Sequence, residues 1–125
     1  MQSLPDIRNQ LSSKTLFNAF TKQLEKDFAQ SNIPADFVAT LAPGYDGILR
    51  TIASELRRNE KRTDFSLMQL LYRIDISETQ LKRYLSKDKD KSHFDVIAEL
   101  IIKRVLQKVV VKQLYKNQGN SNEPL

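Results

Sequence analysis

The apolar positions of this chain recur three and four residues apart almost from end to end, the period of helices that bury one face. Ile7, Leu11, Phe17, Phe20, Leu24 and Phe28 follow that spacing behind Pro5, a residue suited to a first helical turn. They predict a first helix over about 5–30 that can break near Ser12–Ser13. Asn32 and Pro34 restart a short helix carrying Phe37, Val38 and Leu41, and Pro43-Gly44 ends it. Asp46 is the expected cap of the next helix, where Ile48, Leu49, Ile52 and Leu56 form one stripe before the polar run from Arg57 to Arg62.

A tight corner follows. Thr63 and Asp64 can open a helix carrying Leu67, Leu70, Leu71 and Ile74, and Asp75–Ile76 interrupts it. Ser77 and Gln80 have the spacing of a capping box for a second helix. Ile76 and Leu81 occupy the flanking staple positions, so the two helices must cross at a fixed angle near 74–77.

The alternating segment from Lys87 through Asp88, Lys89 and Asp90 to Lys91 reads as a solvated connector. Ser92 can cap a long helix to about Lys116. Phe94, Ile97, Ala98, Ile101, Ile102, Val105, Leu106, Val109, Val110 and Leu114 are apolar along it, and Val96, Leu100 and Val111 widen the face. A helix so broadly apolar is either packed on several sides or part of a dimer interface. The fold class expected is all-α, a compact bundle of five or six helices in one domain over 1–116, with a flexible tail over 117–125.

Composition agrees with this patterning. Three Gly and four Pro in 125 residues argue against a loop-rich or β-rich chain. Cysteine is absent, which rules out disulfides and thiolate chemistry and fits a reducing cytoplasm. The first 20 residues lack the apolar core of a signal peptide, and no apolar run is long enough to suggest a membrane span. The net charge of +5 is modest, with 20 basic residues against 15 acidic ones.

The corner carries the most specific candidate chemistry. Thr79, Gln80, Lys82, Arg83 and Ser86 would lie on the outer side of the second helix, able to meet base edges or phosphates. Arg57, Arg58 and Arg62, with Arg50 and Lys61, form the densest basic region and could add phosphate contacts. Over roughly 20 residues this arrangement resembles the bacterial helix-turn-helix repressor pattern. It departs from that pattern at Leu71, where a small residue is expected, and at Asp75, where the turn glycine belongs. The resemblance implies DNA reading through residues 64–86; the competing reading is a packing corner with a solvated polar face. Glu78, at the start of the second helix, would repel phosphate.

Little else suggests a site. His93, the only histidine, stands beside Ser92 and Asp95, and a metal site with Asp90 and Asp95 would be sparse. Glu25, Asp27, Glu55, Glu60, Asp64, Asp75, Glu78 and Glu99 are dispersed among polar positions, with no spacing that marks a catalytic pair. Pro43-Gly44-Tyr45-Asp46-Gly47 reads as a turn before a helix rather than a ligand loop. Tyr72 and Tyr115 suit an interface or a core edge equally. No catalytic residue, metal or cofactor is expected, and no membrane partner. The leading expectation is a non-catalytic protein acting through protein–protein contacts, as a homodimer or adaptor, with Ile101, Val105, Val109 and Leu114 as interface candidates. DNA binding by a helix-turn-helix is the alternative.

Overall fold

The computed structural model describes residues 4–63, 66–87 and 92–121. Among them the regular structure is α-helical: α1 (Leu4–Ser12), α2 (Lys14–Gln30), a 3₁₀ turn (Asp36–Thr40), α3 (Tyr45–Asn59), α4 (Leu67–Ile74), α5 (Glu78–Lys87) and α6 (His93–Ser121). The all-α expectation holds. No described helix is long and apolar enough to cross a membrane.

The break expected near Ser12–Ser13 is present. Ser13 has extended backbone, and its Oγ accepts the Leu16 N–H, so one hydroxyl starts a new helix inside a continuous apolar pattern. At the end of α2, Asn32 takes a left-handed conformation (φ 61°). The Ile33 N–H then reaches back to the Phe28 carbonyl and the Asn32 N–H to that of Ala29, which satisfies the helix end. Phe28 and Ile33 are both buried beside this cap, and Phe28 meets Phe37 edge-on with centroids 5.1 Å apart.

Two expected caps are replaced. The N-cap of α3 is Gly44, without a side-chain bond, while Asp46 lies in the first turn and pairs with Arg8 of α1 at 3.1 Å. The carboxylate still favours the helix N-terminus from that position. The cap of α4 is Ser66, whose Oγ accepts the Gln69 N–H, rather than Thr63; Asp64 lies outside the described residues. Ser92 does cap α6, accepting the Asp95 N–H. The backbone of α6 continues to Ser121, past the expected end near Lys116.

α6 is the central helix, packing against α2, α3, α4 and α5. This explains its broad apolar circumference: Val96, Ile97, Ala98, Leu100, Ile101, Ile102, Val105, Leu106 and Val109 are all buried. α1 packs on α2 and α3, and α4 on α2.

Tyr45 opens α3 from within the core. Burial raises its phenol pKa to about 12, the Glu99 and Asp46 carboxylates push the same way, and Arg8, 5.3 Å from the ring centre, opposes them. The unfolded chain therefore loses this proton first, so stability is complete below about pH 10 and declines as pH rises toward 12. Denaturant titrations across that range should show a loss approaching 2–3 kcal/mol, on the order of 1.4 kcal/mol per pH unit. Tyr45→Phe should remove that slope.

Candidate nucleic-acid interface at the α4–α5 corner

α4 ends where Asp75 turns left-handed, at φ 73° and ψ 44°. The Ile76 N–H bonds to the Leu71 carbonyl at 2.8 Å and the Asp75 N–H to that of Tyr72 at 3.1 Å, the same closure that ends α2. Asp tolerates this conformation better than most side chains, so the expected glycine is dispensable. Its carboxylate also has a partner: Arg104 of α6 donates to it at 2.6 Å and ties the corner to the central helix. Asp75→Val should destabilise the fold by roughly 1–3 kcal/mol through left-handed strain. Asp75→Gly should stay within about 1 kcal/mol of the parent, since it relieves the backbone and loses only an exposed ion pair. Thermal melts of the two variants check this.

Ser77 Oγ accepts the Gln80 N–H at 3.1 Å and starts α5. Leu70, Leu71, Ile74 and Ile76 are buried, and Leu81 and Tyr84 pack on the same core from α5. Leu71 is accommodated at the crossing in place of a small residue, as a buried part of that core. α6 packs on both α4 and α5, giving the corner a third helix. Lys103 of α6 lies 5.3 Å from the centre of the Tyr84 ring. A cleft of about 500 Å³ runs between α1, α5 and α6, bordered by Asp6, Gln80, Tyr84, Lys103, Arg104 and Gln107.

α5 buries none of its residues fully. Thr79, Lys82, Arg83 and Ser86 are all exposed and fall within about 100° of helix surface. Lys87, one turn after Arg83, adds a third cation to that side. The hydroxyl of Ser86 donates to the Lys82 carbonyl at 2.6 Å and is committed to its own helix. Gln80 is half-buried at the edge of the exposed face and borders the cleft. Glu78, in the first turn, is exposed and suits the positive end of the helix dipole.

The arginines at the end of α3 and just beyond it have partners of their own. Arg57 stacks on Phe94 at 5.6 Å, Arg58 pairs with Glu55 at 2.8 Å, and Arg62 bonds to Asn59 at 2.8 Å. Phe94 and Lys103 are separated by roughly 13 Å along α6, so the Arg57 and Tyr84 contacts lie on different stretches of that helix.

The interface candidates on α6 divide. Ile101 and Val105 are 0% exposed and Val109 is 3% exposed, so they serve this chain's own core and cannot form an interface. Leu114 remains 57% exposed, with Val111 and Tyr115 beside it at helical spacing. Tyr72 on α4 is also exposed, at 87%, which rules out a core-edge role.

His93 is exposed, and no group of three metal-ligating side chains occurs among the described residues; Asp90 lies outside them. The Gly44–Gly47 segment is the turn and first turn of α3. Asp27 is no surface carboxylate. It is 2% exposed and faces Lys108 at 3.6 Å, with one oxygen bonded by Gln23.

No protein-family model matches the chain, and no match was found among curated proteins or solved structures.

Proposed function

We infer that this chain is a non-catalytic DNA-binding protein whose α4–α5 corner docks on duplex DNA, with α5 presented to the major groove. The observation that carries the reading is the division of α5. Its apolar side packs on α6, while Thr79, Lys82 and Arg83 face solvent around a left-handed turn. A reading helix requires that division; a surface helix that only packs shares it, and the three cations on the solvent side of α5 favour DNA. Lys82, Arg83 and Lys87 supply phosphate or base donors, and Thr79 can meet a base edge. Glu78 opposes close approach of phosphate to the first turn, which favours docking through the middle of α5. The arginines of α3 are not assigned to this surface. Amide NMR spectra recorded during titration with a short mixed-sequence duplex test the reading. Shifts concentrated over 77–87 are expected, and shifts confined to other helices would refute it.

A second reading, protein–protein interaction as a homodimer or adaptor, is favoured by the exposed apolar end of α6. Val111, Leu114 and Tyr115 project there without cover among the described residues. Sedimentation equilibrium of the parent and of Leu114→Glu separates self-association from a monomer. A cytoplasmic location belongs to the same proposal and rests on the absence of cysteine.

A further inference from the structure

A shallow groove of about 260 Å³ runs between α2 and the last third of α6, remote in the chain from the α4–α5 corner. Its α2 wall carries Ala19, Lys22, Gln23 and Lys26, and its α6 wall carries Val109 and Lys112. Ala19, Lys22 and Lys26 stand three and four residues apart, so they share one face of α2. The half-buried Ala19 and the aliphatic stems of Lys22, Lys26 and Lys112 make the accessible floor apolar, with Val109 buried beneath it.

The charges around this floor are one-sided. Lys22, Lys26 and Lys112 are all exposed, and no carboxylate lines the groove. Lys112 donates to Gln23 at 2.8 Å, which leaves its ammonium two further N–H donors. Lys22 and Lys26 make no ion pair among the described residues. The nearby Asp27 is turned inward to Lys108. Several other surface cations stand beside acids, as in Arg58–Glu55 and Lys103–Glu99.

We propose that the groove between α2 and α6 docks an acidic amphipathic segment of another protein, one apolar side chain entering over Ala19 and the lysine stems while its flanking carboxylates meet Lys22, Lys26 and Lys112. Charge complementarity selects this occupant. A second copy of the chain, placed symmetrically here, would set the three lysines against the same three lysines. A nucleic-acid backbone would satisfy the lysines and leave the apolar floor unused. These groove residues are separate from those assigned to DNA.

The test uses the full chain and a fluorescent amphipathic peptide, with leucines on one face and glutamates on the other. Its counterpart with lysine in place of glutamate is the control. The acidic peptide should bind and the lysine peptide should not. Lys22→Glu combined with Lys26→Glu should weaken binding on the order of ten-fold or more. Both positions are exposed, so an unchanged circular dichroism spectrum and melt certify the variant's fold. Ala19→Gln, which fills the floor without changing charge, should also weaken binding. Absence of acidic-peptide binding, or binding indifferent to the lysine reversals, overturns the proposal. So does a variant that loses duplex DNA while keeping the peptide, because the groove would then belong to nucleic acid.

Discussion

Lys108→Ala should destabilise the fold by about 3 kcal/mol, the lower end of the range for breaking a buried ion pair. Asp27 sits inside α2 with its side chain 3% exposed. Gln23 donates to one carboxylate oxygen, while the other has no hydrogen bond and faces only the Lys108 ammonium at 3.6 Å. Removing that ammonium leaves a buried charge with its main partner gone. Lys108 keeps some contact with water, so the loss stays near the lower bound. Asp27→Leu combined with Lys108→Met should recover most of the stability, because replacing a buried pair by apolar groups is often neutral. Urea denaturation of the parent, the single variant and the double variant checks this, and a double variant no more stable than Lys108→Ala would contradict it.

Ile101→Ala should cost about 2–5 kcal/mol, whereas Leu114→Ala should change stability by no more than about 0.5 kcal/mol. Both residues lie on the apolar side of one helix in the sequence, yet only Ile101 is enclosed by neighbouring helices. The Ile101 loss should not depend on protein concentration. An interface residue would show such dependence, since dissociation accompanies unfolding there. Urea titrations at two concentrations distinguish the cases.

These effects mark where the sequence was legible. Helical period, the break at Ser12–Ser13 and the Ser77 and Ser92 caps are local features, and local patterning specifies them. The caps of α3 and α4 differ from the expected ones because several candidate residues compete near each start. Gly44 and Ser66 prevail over Asp46 and Thr63 through backbone geometry that residue type alone does not reveal. Burial on α6 depends on which helices surround it, so Ile101, Val105 and Val109 looked as available as Leu114. Asp27 looked like a surface carboxylate for the same reason: its partner Lys108 lies far along the chain.

At the candidate site, the turn and polar face of α5 were legible because capping and periodicity place them. Lys87 stands one turn beyond Arg83 on the same face, but its place at the head of the alternating Lys87–Lys91 run makes it read as connector. The Asp75–Arg104 pair was not accessible, since only packing of the corner on α6 brings those residues together. Nor did sequence density of charge locate the surface. Arg57, Arg58 and Arg62 form the richest basic run, yet they are engaged with Phe94, Glu55 and Asn59.

The most direct test of DNA binding is a duplex titration by fluorescence anisotropy over a series of salt concentrations. The parent, Lys82→Ala combined with Arg83→Ala, and Arg57→Ala combined with Arg58→Ala are compared. Parent affinity should fall steeply with salt. The α5 variant should bind on the order of ten-fold more weakly, with a salt slope lower by about 1–2, as expected for one or two lost phosphate contacts. The α3 variant should match the parent. Salt-dependent binding that survives unchanged in the α5 variant, or no duplex binding by the folded parent at low salt, would contradict the account.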